Sequence, residues 1–426
     1  MQHSVEEVVL AGGGRGLIID VPGAKTFSSQ IIFNAGWRFA EDIKKVETAH
    51  VMEHLAFGAN AKYPSRQALE EAMARNGAYR NASTSQNLIA YYIACAEFEW
   101  ERMFEIQLTQ VASPKYLQDE FEAELGNVQT EVNNYSNDYN DVLDGIMSKA
   151  LGYDNAITID KRVEYVANVK REDCVKYHQR THSRENMVFI VAGDMKEKRG
   201  SLLEMLETMD MKRGEKLEIA PDGLKHGGSV MQKKTEAQNM TFGTSLVIRE
   251  QLNDDEQFAM SNLNHVLSGT FNSRIFGEAR MRGLLYWFYA GVGVEKFDSN
   301  WSLYGTADYN KAEELFRLIA NVMQEVKEGE ITKKEIEDAK SFKLGKNQMR
   351  EWTPSQLPNF YRGKYLVRGE IDDFWGVDDG IKAVTHERIM EVVRRFVNTD
   401  ISVFGAVGDV DREFVDKLGS IIGETK

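Results

Sequence analysis

His50-Val51-Met52-Glu53-His54-Leu55-Ala56-Phe57-Gly58 decides the reading of this chain, because a second segment can be laid over it. Ser261-Asn262-Leu263-Asn264-His265-Val266-Leu267-Ser268-Gly269 aligns with it at an offset of 211 residues, with His265 under His54. Another pair of landmarks keeps nearly the same step. The apolar run Met187-Val188-Phe189-Ile190-Val191-Ala192-Gly193-Asp194 is echoed by Ser402-Val403-Phe404-Gly405-Ala406-Val407-Gly408-Asp409, and the two Gly-Asp turns lie 215 residues apart. Either echo alone is weak. Their agreement in offset indicates two copies of a unit of about 210 residues. The length of 426 residues points the same way, since single cores stop growing at about 250–300 residues.

Outward from the motif, strands are expected at 16–22, 30–36, 87–95 and 186–194, where β-formers are bounded by Gly, Pro and polar turns. Helices are expected at 44–57, at 65–75 with Ser65 as N-cap, at 97–111 and at 117–133. Residues 211–228 are polar and Gly-containing and read as a linker. The expected fold class is α+β: two homologous domains, 1–210 and 229–426, each a mostly antiparallel sheet packed with helices.

Composition bounds the function. A hydrophobic fraction of 42% with 28% charged residues excludes a disordered or fibrous chain. Lys plus Arg number 52 against 66 Asp plus Glu, a net charge of −14, which argues against nucleic acid as partner. Gly12-Gly13-Gly14-Arg15-Gly16 lacks the Lys-Ser/Thr of a phosphate loop. Cys95 and Cys174 make no disulfide framework. No basic leader is visible and no apolar run approaches the roughly 20 residues of a membrane span. A cytoplasmic protein with no membrane partner is the expectation.

His50-x-x-Glu53-His54 carries the chemistry. On a helix, positions four apart lie on one face, so two imidazoles can reach one metal ion from the same side. Nitrogen ligands at this spacing favour zinc, and a catalytic zinc keeps one position for water. Glu53 stands beside that face and is placed to take a proton from such a water. This is the inverted H-x-x-E-H form of the zincin motif. A third ligand is needed. The acidic helix at 117–133 carries Glu120, Glu122, Glu124 and Glu131, of which Glu124 and Glu131 share a face, being two turns apart.

The pair His50/His54 followed 77 residues later by Glu131 resembles the pitrilysin/insulinase family of zinc metallopeptidases, in its short, two-domain branch that includes the mitochondrial processing peptidase. The resemblance implies one zinc ion per chain on His50, His54 and Glu131, Glu53 as general base, and Glu124 in support of catalysis. Gly36-Trp37-Arg38 and Tyr63-Pro64-Ser65 are similar to flanking family segments. Asn81-Ala82-Ser83-Thr84 resembles the family's edge strand, which implies pairing with a substrate backbone. In the second copy, Arg282-Gly283-Leu284-Leu285-Tyr286 resembles the segment whose Tyr and Arg hold substrate. Tyr286 matches directly. The family's Arg position holds Ala279, so Arg280, one place on, is the candidate and Arg282 its rival. The expected activity is endopeptidase hydrolysis of unfolded or short peptides. Both motif sets on one chain imply a homodimer. The alternative is a catalytically inactive relative serving as scaffold or partner subunit.

Overall fold

Strands from each half of the chain assemble in the same order. The computed structural model describes residues 1–423. In the first unit, β1 (Ser4–Val9), β2 (Arg15–Asp20), β3 (Thr26–Phe33), β4 (Tyr79–Thr84), β5 (Ile89–Ala96) and β6 (Met187–Gly193) form a sheet of order β1-β2-β6-β3-β5-β4. In the second, β7 (Gly228–Lys233), β8 (Met240–Ile248), β9 (Leu285–Val294), β10 (Ser299–Ala307) and β11 (Ile401–Gly408) take the order β7-β11-β8-β10-β9. With β1 set aside, the two orders correspond strand for strand. Each sheet pairs antiparallel except at one corresponding place, β2 with β6 and β7 with β11. The class is α+β, and the shared topology gives the sequence repeat its structural basis.

The first unit adds α1 (Thr48–Leu55), α2 (Arg66–Ala74), α3 (Trp100–Ala112), α4 (Gln118–Tyr135), α6 (Ile159–Tyr165), α7 (Arg171–Thr181), α8 (Arg199–Thr208) and α13 (Leu357–Arg368). The second holds α5 (Tyr139–Leu151), α9 (Asp254–Ser268), α10 (Phe276–Met281), α11 (Ala312–Glu328), α12 (Lys333–Gln348), α14 (Val377–Ala383), α15 (His386–Val397) and α16 (Arg412–Gly423). The expected ranges 1–210 and 229–426 therefore each carry one sheet, to within a residue, while α5 and α13 belong to the sheet of the other range. Between β6 and β7 the chain passes from one unit to the other at Ala220 and Pro221, inside the expected linker.

Side chains on the strands explain the exchange. β3 is buried along nearly its whole length, because α3 covers one face and α13 the other. Phe27 meets Phe104 of α3 with ring centroids 5.7 Å apart. The opposite face carries Ser28 and Gln30, which would be costly to bury without partners. The α13 segment supplies them: Ser28 Oγ donates to Pro354 O at 2.7 Å and Gln30 Nε2 to Asn359 Oδ1 at 2.7 Å. Tyr365 OH donates to Glu7 at 2.8 Å and Arg362 to Tyr92 OH at 2.8 Å. In the second unit, Gly243 and Gly405 lie opposite each other on β8 and β11. A Cβ on Gly405 would stand 2.7 Å from Leu143 and Met147 of α5, so the bare backbone there forms the seat of that helix.

Candidate active site

α1 begins at Thr48, later than periodicity predicts, because Asp42 accepts from Lys44 N at 2.9 Å and caps a separate 3-10 turn at Ile43–Lys45. His50 and His54 follow one turn apart, their ring centroids separated by 4.9 Å. His50 Nδ1 faces Glu47 Oε2 at 3.2 Å and His54 Nδ1 faces Glu124 Oε2 at 2.9 Å. A carboxylate only accepts, so a neutral ring with its proton on Nδ1 serves this bond and leaves the Nε2 lone pair to a metal, whereas the protonated ring donates from Nε2 as well. Those two Nε2 atoms lie 3.6 and 3.5 Å from the two carboxylate oxygens of Glu131 on α4.

One ligand atom from each of His50, His54 and Glu131 falls within 4.8 Å of the others, and among the described residues this is the one cluster of His, Cys and carboxylate groups that meets such a test. Zinc bonds of about 2.0–2.1 Å in tetrahedral geometry hold neighbouring ligand atoms roughly 3.3 Å apart. The residues present fit a zinc ion, both in spacing and in their two-nitrogen, one-carboxylate chemistry.

Electrostatics at the site are set by burial and by pairs of charges. Glu53 is 8% exposed and accepts from Thr84 Oγ1 at 2.5 Å. Burial raises its pKa, and the Thr84 bond and the two imidazoles only partly offset that. Burial works against charge on His50, but hydrogen bonds to Glu131 and Glu47 outweigh it and push the ring up to about 9. A metal ion therefore competes with a proton at this ring. His54 is lowered by burial and by the charge of His50. Glu47 is itself buried, yet bonds from His50 and from the Arg162 guanidinium (2.6 and 3.1 Å) bring it down to about 2. Glu124, also buried, is paired with Arg66 of α2 and accepts from Asn127 at 3.3 Å.

The other expected residues have these places. Asn81, Ala82, Ser83 and Thr84 lie on β4, which pairs with β5 on one side and forms an edge of its sheet. Thr84, through its bond to Glu53, ties that edge to α1. In the second unit Tyr286 is the second residue of the edge strand β9 and is 77% exposed, with the Arg280 guanidinium 4.8 Å from its ring centroid. Arg282 instead pairs with Glu278 at 2.6 Å and Glu314 at 3.8 Å. The geometry thus associates Arg280, not its rival, with Tyr286. Sequence reasoning missed Glu47, Arg66 and Arg162. Glu47 had a usable signal, since it precedes His50 by three residues on the same helical face. The two arginines arrive from other elements and had none.

At the offset of 211 residues, α9 and α12 of the second unit correspond to α1 and α4 of the first. Ser261 accepts from Lys343 Nζ at 2.6 Å, and Asn264 from Trp301 Nε1 at 2.9 Å. His265 stacks on Phe342 with centroids 4.3 Å apart. Phe342 is the residue 211 beyond Glu131.

Two family models match. Residues 17–157 match the insulinase family, peptidase family M16, and residues 168–342 match the M16 inactive domain. The chain belongs to the M16 insulinase family. An uncharacterized zinc protease of Bacillus subtilis (strain 168), YmxG, is 21% identical over 363 residues, covering 83% of this chain and 87% of its own. An uncharacterized zinc protease of Mycobacterium leprae (strain TN), ML0855, is 25% identical over 352 residues, covering 79% and 76%. The crystal structure of a protease from Helicobacter pylori superimposes with a TM-score of 0.80 at 18% identity, covering 95% of this chain and 100% of that one, which shows the fold. The inactive-domain match contains Ser261, Asn264 and Phe342, which stand 211 residues beyond His50, Glu53 and Glu131. No helix among the described residues is long and apolar enough to cross a membrane.

Proposed function

We propose that this chain is a zinc-dependent endopeptidase that hydrolyses unfolded or short peptides, with one zinc ion per chain held by His50, His54 and Glu131. The observation that carries this reading is the convergence of those three ligand atoms within 4.8 Å beside the buried carboxylate of Glu53. Bound zinc supplies a Lewis acid and lowers the pKa of a coordinated water towards neutrality. Glu53, already raised by burial, takes the proton of the attacking water on its carboxylate and delivers it to the leaving amine. Glu124 acts through His54 and is a positioning residue.

Peptide is held by main-chain pairing to Asn81–Thr84, which asks for an extended segment and little sequence specificity. Thr84 donates to Glu53, so a strand added at this edge ends beside the base. Tyr286, assisted by Arg280, is the candidate substrate-holding side chain of the second unit, and a homodimer in solution is part of the reading. The short, processing-peptidase-like branch and a cytoplasmic location complete it.

The test is zinc content together with cleavage of an unstructured peptide by wild type and Glu53→Gln. Zinc retained with cleavage reduced by about 10²–10⁴-fold is the expected result. A folded wild type without zinc, or a fully active Glu53→Gln, overturns the proposal. Light scattering tests the dimer separately, and a fully active monomer would remove it.

A further inference from the structure

We propose that Glu47, clamped by Arg162, is the positioning residue that fixes His50 for the metal, so that zinc affinity depends on an ion pair outside the ligand set. This rests on the zinc reading above and deepens it. Glu47 occupies the N-cap position of α1, where a side chain ordinarily accepts a backbone N–H, but it makes no such bond. One carboxylate oxygen instead faces His50 Nδ1 at 3.2 Å, and Arg162 of α6 grips both, at 2.6 and 3.1 Å. The carboxylate is 2% exposed. Burying it is costly, and the two partners together make the burial tolerable.

A carboxylate on Nδ1 selects the tautomer whose Nε2 lone pair points at the metal, and holds the ring against rotation. His54 receives the same treatment from unrelated elements, Glu124 of α4 with Arg66 of α2. Two independent His–carboxylate–arginine arrangements on adjacent rings are more than helix capping or surface pairing would require. The internal repeat offers a control. The residue 211 beyond Glu47 is Phe258, in the copy whose ligand positions hold Ser261 and Phe342. The residue 211 beyond Glu124 is still a glutamate, Glu335, paired there with Arg274 at 2.6 Å. Glu47 therefore parallels the metal ligands across the repeat, while the glutamate on the long helix does not.

The experiment measures zinc affinity of the full chain by competition with a chromophoric chelator, with thermal melting in parallel and the visible spectrum of the cobalt(II)-loaded protein as a report on ligand geometry. Glu47→Gln is expected to weaken zinc about 10–100-fold and to alter the cobalt spectrum while leaving the melting transition cooperative. Arg162→Gln is expected to weaken zinc less, and the double variant to be no worse than Glu47→Gln alone, because the two act as a unit. A folded Glu47→Gln with zinc affinity and cobalt spectrum like wild type overturns the inference. Should Glu47→Gln not fold, Arg162→Gln decides alone, and unchanged affinity there is equally fatal. If wild type binds zinc but leaves unfolded peptides intact, the peptidase reading falls and this inference stands on its affinities. If wild type binds no zinc, both fall.

Discussion

α1 with α4, and α9 with α12, are two outcomes of one scaffold. In the first, His50, His54 and Glu131 point at a shared centre and are held from behind by Glu47 and Glu124. In the second, the same positions hold Ser261, His265 and Phe342, which bond to Lys343 or stack on one another. α1 packs on β4 and α9 on β9, the corresponding edge strands of the two sheets. In the second unit the stack of His265 on Phe342, with centroids 4.3 Å apart, joins α9 to α12 with no convergence of ligand atoms.

The largest expected effects come from removing the side chains at the corresponding positions 131 and 342 in turn. Glu131→Gln removes a ligand and should lower zinc affinity by more than about 100-fold, beyond the loss from an outer partner, with the chain still folded by circular dichroism. Phe342→Ala should leave zinc binding unchanged and lower stability by about 1 kcal/mol, because its ring is partly exposed and contributes one stacked contact. A Glu131→Gln protein that unfolds would show that the metal cage is structural after all.

A smaller effect concerns the exchanged helices. Gly405→Val places side-chain carbon against Leu143 and Met147, where a Cβ alone would stand at 2.7 Å. Overpacking of this kind costs about 1–3 kcal/mol, read as an earlier unfolding transition in denaturant with zinc affinity unchanged. An unaltered midpoint would mean that α5 does not depend on that glycine seat.

The smallest effect is electrostatic and compares Glu335 with its counterpart Glu124. Burial raises Glu335, but hydrogen bonds from Arg274 and Thr332 outweigh it and bring it down to about 2. A carboxyl depressed in the folded state stabilises above its unfolded pKa near 4.5, and the benefit is lost as pH falls from there towards 2. Solvent screens this half-exposed pair, so the contribution is below about 1 kcal/mol. Glu335→Gln should shallow the loss of stability between about pH 4.5 and 2, measured by denaturant midpoints, and leave the curve above pH 5 parallel to wild type. A slope identical to wild type across that window would assign the acid sensitivity elsewhere.

The repeat and the ligand face were legible because they are written locally. His50 and His54 are one turn apart on one helix, and Glu124 and Glu131 two turns apart on another, so helical periodicity alone aligns each pair. Which helix pair would meet was visible only through family resemblance. The exchange of α5 and α13 was not legible. An amphipathic helix displays that it needs a sheet to cover but not which sheet, and the deciding features, Gly243 and Gly405 on one side, Ser28 and Gln30 on the other, lie about 100 to 330 residues away. Arg66 and Arg162 were hidden for the same reason, because an arginine's partner is chosen by long-range packing. Glu47 was within reach of periodicity, three residues before His50, but it lies at the start of the helix, where a carboxylate reads as a cap.

The exchange of helices also fixes when the first unit can be finished. Domains ordinarily complete themselves in order as they leave the ribosome. Here β6 closes the first sheet at Gly193, yet the face carrying Ser28 and Gln30 remains bare until α13 has been made through Arg368. At synthesis rates of about 5–20 residues per second, that is a wait of roughly 10–35 s. During it α1 and α4, with His50, His54 and Glu131, are already made, and the sheet of their unit still has one open face. Completion of the first unit is thereby an event late in translation, and a chain truncated before residue 357 would leave the Ser28 and Gln30 face of its first sheet without the covering helix.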